Sequence, residues 1–325
     1  SITSLSANNR TLTDNHNGTW TFVPNANFNG NIDFQYTVSD GANNVSQYAT
    51  INVVHDANDL QFNVDNLDIT STGNFVDADG DHIQATYGAN DSTVVSLQQE
   101  GSSGTTTVNA SSSNSETITL NDFDKTNLHL GDNGDSSVNI INTTSGNITT
   151  GDGNDSINIS TDSTAHGSDN ALNINSGSGN DDINVTGYNE STSININTGS
   201  GNNDVTLTGK YANSDIHGGS GDDVITGSSE GNDTYHFGYG QGDDLFNGGG
   251  GIGWADSIVL ESNSPVTVIQ NGSNSWTLMI DGQEAHLSTD VSGSVTNNHI
   301  DFNGAAQGTI TMADGSSVNF QNIDH

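Results

Sequence analysis

The sequence predicts an all-β protein, and three observations support this fold class. Gly, Asn, Asp and Ser interrupt the chain every few residues, which is typical of frequent turns. Between the turns lie short runs in which apolar and polar residues alternate, as at residues 20–23, 157–159, 205–207 and 275–280. Alternation with a period of two and an enrichment in β-branched residues both favour strands. No amphipathic window is long enough to predict a helix.

The charge balance excludes several classes of partner. The 325 residues include three Lys or Arg against 40 Asp or Glu, which gives a formal net charge of -37. Only Arg10, Lys125 and Lys210 are available to neutralise phosphates, so we expect no nucleic-acid partner and no docking on anionic lipid. No apolar run approaches the length needed to span a bilayer, so we expect no direct membrane insertion.

The acidic residues are almost all aspartates, with 34 Asp against six Glu, and the chain has no cysteine. The lack of cysteine excludes a disulfide framework and thiolate chemistry. Asp and Gly together favour turns, and short carboxylates in turns are hard oxygen ligands for calcium. Composition alone also permits a merely solvating acidic surface. The positions of the aspartates along the chain therefore decide between the two.

Residues 1–56 form a first segment with a compact signature. The string FVPNANFNG at residues 22–30 is followed by DFQYTVSDG at 33–41 and by an apolar strand at 49–54. These strings resemble the cadherin-like, immunoglobulin-like repeats of large bacterial surface adhesins. The resemblance implies a partial Ig-like β-sandwich made from the C-terminal half of such a repeat. It also implies calcium at a domain junction, and the alternative for these carboxylates is ordinary turn chemistry. The residues concerned are Asp40, Asp56 and Asp59.

Residues 57–115 predict a β-rich connecting segment to which the sequence assigns no role. The alternating carboxylates Asp77, Asp79 and Asp81 resemble the opening of an EF-hand loop. An EF-hand is rejected because neither a helical flank nor a glutamate at the twelfth position follows. A calcium-binding turn between strands remains a possible interpretation of these residues.

Residues 116–250 carry an internal repeat in which a Gly/Asp-rich turn precedes an apolar strand position. The turns lie at residues 131–135, 151–155, 177–181, 199–203, 218–223, 231–233 and 240–244. Repetition of this kind predicts a solenoid, in which each turn of the chain stacks on the last.

These units resemble the calcium-binding nonapeptides of RTX proteins, a family that builds a parallel β-roll. Glycines permit tight turns with positive φ, and carboxylates with turn carbonyls can complete an oxygen cage. Stacked turns repeat at about 4.8 Å, so neighbouring carboxylates without a cation repel by roughly 1 kcal/mol even at the dielectric of water. We therefore expect several Ca²⁺ ions. The expected ligands are Gly151, Gly153, Asn154, Asp155, Gly177, Gly179, Asn180, Asp181, Gly199, Gly201, Asn203, Gly219, Gly221, Asp222, Asp223, Asn232, Asp233, Gly240, Gly242, Asp243 and Asp244, with Asp135 as a weaker candidate.

The spacing of the key acidic position predicts a calcium ladder on one edge of the roll. That position recurs once per full coil at Asp155, Asp181, Asn203, Asp223 and Asp244. On the opposite edge only Asp233 carries the motif. Asn203 is the weak rung of the predicted ladder, because an amide replaces its carboxylate.

The opposite edge is longer and irregular, and it leaves alternatives open. His166, Tyr188 and Tyr211, with the polar residues around them, form either a ligand surface or solvated loop tips. The outward asparagines of the strands predict side-chain ladders, and we expect these at Asn158, Asn184, Asn173 and Asn195. Repetitive Thr/Asn rolls also bind ice, but a regular Thr-x-Asn rank is missing.

Residues 251–325 predict a C-terminal β domain with Asp-Gly turns at 281–282 and 314–315. The Gly-rich run before Trp254, the WTL strand at 276–278 and the ending DGSSVNFQNI at 314–323 resemble the carboxy-terminal region of adhesins exported by type I secretion. From the residues alone, this segment is a β capping domain over the last rung of the solenoid.

Signals for an enzyme are weak. Residues 227–231 formally match the G-x-S-x-G elbow of hydrolases, but they lie within the repeat array rather than in a strand-turn-helix unit. No His-Glu-x-x-His motif occurs, so no zinc protease site is predicted. The histidines are scattered, and we expect four of them to be surface or turn residues: His82, His129, His217 and His236.

With these resemblances, the sequence predicts a secreted, calcium-folded module of a bacterial cell-surface adhesin. The resemblances also imply that the chain passes through type I secretion machinery. The RTX and adhesin resemblances imply a role in attachment or biofilm formation. The competing prediction is a calcium-dependent binding module for an unknown surface ligand, namely a glycan, a protein or peptide, or ice. We do not expect an enzyme.

Overall fold

The computed structural model describes residues 2–7, 10–16, 19–24, 30–39, 43–53, 59–63, 73–76, 82–87, 93–98, 105–109, 116–121, 123, 125–130, 134–161, 171–188, 192–250 and 255–325. The regular elements in these ranges are all β-strands, which confirms the all-β fold class. Within the same ranges no helix is long and apolar enough to cross a membrane.

The N-terminal segment forms a small antiparallel unit. Its strands are β1 (Ile2–Ala7), β2 (Arg10–Asp14), β3 (Trp20–Pro24), β4 (Gly30–Ser39) and β5 (Asn44–Val53). Strand β4 pairs with β1 and β5 in one sheet, and β2 pairs with β3 in another. The rings of Phe22 on β3 and Phe34 on β4 meet edge to face at 5.1 Å, so an aromatic contact joins the two sheets.

A parallel roll follows, in which the chain alternates between two sheets. Its strands are β6 (Asp59–Asn63), β7 (Gly73–Val76), β8 (His82–Tyr87), β9 (Thr93–Gln98), β10 (Thr105–Asn109), β11 (Glu116–Asn121), β12 (Lys125–His129), β13 (Ser137–Thr143), β14 (Ser145–Thr149), β15 (Ser156–Thr161), β16 (Ala171–Asn175), β17 (Asp182–Tyr188), β18 (Ser193–Asn197), β19 (Asp204–His217), β20 (Val224–Thr226), β21 (Glu230–Phe237) and β22 (Asp243–Asn247).

We call the two sheets face A and face B. Face A consists of β12, β14, β16, β18, the second half of β19, and β21, paired in parallel in that order. Face B consists of β11, β13, β15, β17, the first half of β19, β20 and β22. Turns that lead from face A to face B define the Asp edge of the roll, and turns that lead back define the return edge. The parallel β-roll of the prediction is confirmed.

The hydrophobic core lies between the two faces. Every second side chain of a strand points inward, so apolar residues stack in rows from rung to rung. In one rung the inward residues are Ile183 and Val185 on face B and Ile194 and Ile196 on face A, each at most 1% exposed. Burial of each such side chain contributes roughly 1.5–3 kcal/mol to the free energy of unfolding. The rows fix the register, because a shift by one residue would turn these side chains outward.

The strands of the preceding segment join the same sheets. Strand β10 pairs in parallel with β12 and with β6, which extends face A toward the N-terminus. Strand β9 pairs in parallel with β11, which extends face B. A hairpin formed by β7 and β8 leads antiparallel into β9. The connecting segment of residues 57–115 therefore contributes strands to the ladders of the roll.

A meander closes the C-terminal end of the roll, which confirms the predicted β cap. Its strands are β23 (Ser257–Leu260), β24 (Thr267–Gly272), β25 (Ser275–Ile280), β26 (Gln283–Thr289), β27 (Gly293–Thr296), β28 (His299–Phe302), β29 (Ala306–Thr311) and β30 (Ser317–Ile323). Strand β23 is the last strand of face A, next to β21. Strand β30 pairs antiparallel with β29 and in parallel with β22, so it is also the last strand of face B.

The outward asparagines form a ladder on face A but not on face B. On face A, Asn195 Nδ2 donates to Asn173 Oδ1 at 2.7 Å, Asn173 Nδ2 to Asn147 Oδ1 at 3.0 Å, and Asn147 Nδ2 to Asn127 Oδ1 at 3.1 Å. On face B, Asn184 Nδ2 donates to Asp182 of its own strand at 2.7 Å. Asn158 likewise bonds Ser156 of its own strand at 3.4 Å. The predicted ladder therefore forms on face A, whereas on face B the asparagine amides bond a hydroxyl or a carboxylate of their own strand.

Two columns of glycine allow the turns of the Asp edge to stack closely. Gly179 has φ +134°, and a Cβ there would lie 1.8 Å from the carbonyl oxygen of Gly153 in the preceding turn. Gly201 has the same relation to Gly179, also at 1.8 Å. Glycine is therefore required twice at these positions, once for the left-handed backbone and once for the contact.

Substitution of Gly179 by Ala should destabilise the roll strongly. The left-handed backbone costs a non-glycine residue about 1–2 kcal/mol, and overpacking against a fixed carbonyl adds about 1–3 kcal/mol. The matched control is Gly240→Ala, because Gly240 also has positive φ (75°) but has open space around its Cβ position. Denaturant unfolding should show the smaller loss for Gly240→Ala. Equal losses would contradict the close stacking described here.

Candidate metal centre

An inner ladder of hydrogen bonds runs along the Asp edge. The backbone N–H of each key residue donates to the side-chain oxygen of the key residue in the next turn. Asp155 N donates to Asp181 Oδ1 at 2.9 Å, Asp181 N to Asn203 Oδ1 at 3.0 Å, and Asn203 N to Asp223 Oδ1 at 2.8 Å. The series ends with Asp223 N bonded to Asp244 Oδ1 at 3.0 Å. The five residues that the spacing assigns to one edge therefore lie in one column.

An outer ladder runs beside it in the opposite direction. Here each N–H donates to the side chain of the preceding turn, as from Asn180 to Asn154 at 2.8 Å and from Asn202 to Asn180 at 2.7 Å. Its first acceptor is Asp135, which accepts from Asn154 N at 2.7 Å. Its last two members continue the pattern: Asp222 N donates to Asn202 at 3.0 Å, and Asp243 N to Asp222 at 2.9 Å. These side chains are exposed, in contrast to the inner ladder.

The inner carboxylates keep one oxygen free. Asp155, Asp181 and Asp223 are at most 2% exposed. In each of the three the Oδ2 atom is buried and has no hydrogen-bond partner among the described residues. At Asp244 the corresponding oxygen accepts from the Tyr235 hydroxyl at 2.7 Å. A buried carboxylate oxygen without a partner lowers the stability of the fold. Binding of a cation or a proton at these three turns would remove that cost.

Asn203 provides an internal comparison at the same position. Its Nδ2 takes the place of the free oxygen and donates to three acceptors. These are Thr198 Oγ1 at 3.1 Å, Gly201 O at 3.1 Å and Asp223 Oδ1 at 2.9 Å. The amide thus identifies a point where a hydroxyl, a turn carbonyl and a neighbouring carboxylate converge. An oxygen set of this kind suits calcium, which prefers carboxylate and carbonyl ligands.

Burial raises the pKa of the inner carboxyl groups. The pKa of Asp155 and that of Asp244 rise to about 6, and that of Asp223 rises to about 7. Burial also raises the pKa of Asp181. Neighbouring carboxylates add to the effect, since the charge of Asp181 acts on Asp155 and that of Asp244 on Asp223. Without a cation, the carboxyl groups of the column therefore stay protonated up to pH values well above the usual pKa of aspartate.

The return edge contains two further buried carboxylates. Asp233 is fully buried, and Asp256 is 2% exposed. Asp233 N donates to Asp256 Oδ1 at 2.9 Å, the Ser214 hydroxyl donates to Asp233 Oδ1, and Asp233 Oδ2 has no partner among the described residues. Burial raises the pKa of Asp233 to about 6 and that of Asp256 to about 7. Sequence reasoning found Asp233 and missed Asp256. The Gly-rich run at 248–253 before the strand at 257–260 was the available signal.

The other predicted residues divide into three groups. The glycines fill two columns of the Asp edge, Gly151, Gly177, Gly199 and Gly219 in one and Gly153, Gly179, Gly201, Gly221 and Gly242 in the other, with Gly240 outside the close contacts. Asn232 lies outward on β21, where its Oδ1 accepts from Ala255 N at 2.8 Å. Only the backbone of Asp59 is described, at the start of β6. Predicted residues outside the described ranges are Asp40, Asp56, Asp77, Asp79 and Asp81, and His166 lies outside them as well.

The comparisons with known proteins bear on the N-terminal unit. Residues 1–54 match the family model of the cadherin-like domain. The cadherin-like character predicted for the first segment is thereby confirmed. No curated protein sequence matches the chain. A cadherin-like domain together with a β-solenoid fits an adhesin-like repeat protein of the cell surface or extracellular space. This combination points to a structural or adhesive role rather than an enzymatic one.

The stability of the calcium-free protein should fall as the pH rises. The carboxyl groups of Asp155 and Asp244 have folded-state pKa values of about 6 and that of Asp223 of about 7, above the value of about 3.9 in an unfolded chain. Their stabilising contribution is therefore complete below about pH 4 and is lost as the pH rises through about 6–7, by at most about 1.4 kcal/mol per pH unit for each carboxyl. Denaturant unfolding in chelator between pH 4 and 7.5 measures this loss.

Three exposed aspartates have pKa shifts of the opposite sign. Hydrogen bonds from neighbouring groups lower the pKa of Asp281, Asp290 and Asp314. Their contribution is present above about pH 4 and is lost only as the pH falls below it, so it lies outside the measured window. A free energy of unfolding that rises between pH 4 and 7 in chelator would contradict the assignment of the buried column.

Proposed function

We propose that this chain is a calcium-dependent folding and export module of a secreted bacterial cell-surface adhesin that supports attachment or biofilm formation. The coarser part of this statement rests on the cadherin-like domain and the β-solenoid. The single observation that carries the finer part is the column of buried carboxylate oxygens without partners at Asp155, Asp181 and Asp223. Several Ca²⁺ ions, rather than one, are expected because the arrangement recurs from turn to turn.

The residues that would hold calcium are those of the inner ladder. The carboxylates of Asp155, Asp181 and Asp223 would supply charge. Carbonyls of the second glycine column would supply neutral oxygens, as Gly201 O does for Asn203 Nδ2 at 3.1 Å. Asp244 is a weaker candidate, because Tyr235 already satisfies its second oxygen. Calcium bound there would neutralise the buried column and supply no chemistry beyond charge compensation.

The electrostatics connect this site to export. Burial of unpaired carboxylates opposes folding, and the net charge of -37 opposes compaction further. At low cytosolic calcium the folded state would be only marginally stable, so the chain would stay unfolded long enough to pass through type I secretion machinery. Extracellular modules with sites near 10⁻⁴–10⁻³ M fill with calcium outside the cell, and binding then drives folding.

The adhesive part of the proposal rests on architecture. The stacked solenoid extends along one axis and presents long polar faces. Such a module suits a protein that carries a binding surface away from the cell. The architecture does not identify the partner of that surface, but face A offers a candidate binding site.

The second candidate function is recognition of a ligand by face A. A shallow groove of about 510 Å³ crosses its outer surface. Its lining includes the amides of Asn147, Asn173 and Asn195 and, in the next row, Asn175 and Asn197. Regularly spaced amides of this kind suit the hydroxyl groups of a glycan. Binding of the calcium-loaded protein to a glycan array, lost in Asn175→Leu and Asn197→Leu, would support this function. Binding to ice or to a peptide instead of a glycan would assign a different class of ligand to face A.

A reciprocal pair of substitutions tests the calcium proposal. Asp181→Asn places an amide where Asn203 has one, so it should stabilise the calcium-free protein by about 1–3 kcal/mol and reduce the gain from calcium. Asn203→Asp removes three donated hydrogen bonds and sets a carboxylate against Asp223, so it should destabilise the calcium-free protein by a similar amount and enlarge the gain. Circular dichroism and denaturant unfolding in calcium, magnesium and chelator measure both effects.

The matched control is Asn175→Asp, which adds the same charge on the exposed outer surface of face A. It should change the free energy of unfolding by less than about 0.5 kcal/mol in either condition. The proposal fails if calcium changes neither the β-structure nor the melting temperature. It also fails if Asp181→Asn and Asn203→Asp respond to calcium as the original chain does.

A further inference from the structure

Parallel register brings three metal-ligating side chains together on the outer surface of face A. Asp215 and His217 lie two residues apart on β19, so both point outward, and His236 on β21 is the register neighbour of His217. The three residues offer one ligand atom each, and these atoms lie within 4.8 Å of one another. The sequence separates His217 from His236 by a full coil, and sequence reasoning expected both to be surface or turn residues.

The ligand atoms of this cluster lie close together but do not form well-aligned hydrogen bonds. Asp215 Oδ1 lies 2.8 Å from His236 Nε2 and 3.4 Å from His217 Nε2. Asp215 Oδ1 and His236 Nε2 are both buried, and the 2.8 Å between them is close enough for an ion pair but is not a well-aligned hydrogen bond. The two imidazole rings stack at 3.9 Å between centroids. Three potential ligand atoms thus converge without a proton shared in good geometry.

Glu261 and Gln241 hold the imidazole of His217 in its orientation. His217 Nδ1 lies 3.1 Å from Glu261 Oε1, and Gln241 Nε2 donates to Glu261 Oε2 at 3.0 Å. If Nδ1–H donates to Glu261, the lone pair of His217 Nε2 faces Asp215, and two acceptors oppose each other. A carboxylate that accepts from the outer nitrogen of a histidine is the usual support of a metal-bound imidazole.

The direction of the hydrogen bonds in the asparagine ladder leaves Asp215 without a donor from the neighbouring Asn195. Asn147, Asn173 and Asn195 each direct Nδ2 toward the preceding rung, and the last of these bonds joins Asn195 to Asn173 at 2.7 Å. The next position in the same row is Asp215, which is the register partner of Asn195. A row of amides thus ends at a carboxylate that has no proton to donate.

From this juxtaposition we infer that Asp215, His217 and His236 form a site for a divalent transition metal of the zinc class, supported by Glu261. Two imidazole nitrogens and one carboxylate oxygen suit zinc, cobalt or nickel and do not suit calcium, which takes oxygen ligands. The site lies at one end of the groove on face A and is separate from the calcium column of the Asp edge.

The test uses the full chain saturated with calcium and shown by circular dichroism to be folded, so that it is independent of how folding depends on calcium. Co²⁺ alone is the spectroscopic probe, and Zn²⁺ alone is titrated by calorimetry. We expect one Co²⁺ site with visible d–d absorption that Zn²⁺ displaces. The double variant His217→Gln/His236→Gln should abolish the absorption, and Asp215→Asn should weaken Zn²⁺ binding at least tenfold.

Glu261→Gln tests the supporting carboxylate, because it keeps every ligand atom and alters only the group behind His217. Zn²⁺ affinity should fall about 10- to 100-fold while the Co²⁺ absorption remains at saturation. The matched control is His299→Gln/His325→Gln, since these histidines flank Asp301 in a cluster of the same composition. That variant should leave the absorption unchanged. No Co²⁺ absorption from the original chain, absorption that survives His217→Gln/His236→Gln, or absorption lost only in the control variant would each overturn the inference.

Discussion

The hydrogen bond from the N–H of one turn to the carboxylate of the next is the interaction on which the roll depends. Along the inner ladder this bond links Asp155, Asp181, Asn203, Asp223 and Asp244 at 2.8–3.0 Å. A turn within the ladder donates a hydrogen bond to one neighbouring turn and accepts one from the other. The stability of the roll therefore depends on contacts between neighbouring turns rather than on single turns. The outer ladder runs in the reverse direction, so the two ladders together fix the offset between turns.

The same bond forces charge into the interior and thereby sets the electrostatics of the molecule. One oxygen of each carboxylate is committed to the ladder, and the other remains buried at three turns. Asn203 interrupts the column with a neutral rung, which separates the charges of Asp155 and Asp181 from those of Asp223 and Asp244. The overall charge of -37 is therefore less informative than the small number of carboxylates that are buried in register.

Sequence patterns predicted the features that repeat and missed those that depend on contact between coils. Recurrence of a Gly/Asp turn before an apolar residue was sufficient to place Asp155 to Asp244 on one edge. Asp256 escaped because it lies in the long connection between β22 and β23, within residues 251–325, which the sequence assigned to the C-terminal domain. Asp215, His217 and His236 meet only because β19 and β21 pair in parallel with a defined register. The asparagine ladder formed at Asn173 and Asn195 but not at Asn158 and Asn184, whose amides bond Ser156 and Asp182 instead.

The last strand of the chain also determines what the end of the roll presents to other molecules. An uncovered parallel ladder has a row of free N–H and C=O groups that can template the addition of another strand. Strand β30 occupies that row on β22 and folds back into an antiparallel meander. Because β30 is held on both sides, further copies cannot add to face B at this end. The cap therefore acts against end-to-end fibre growth, to which a stack of similar coils is otherwise prone.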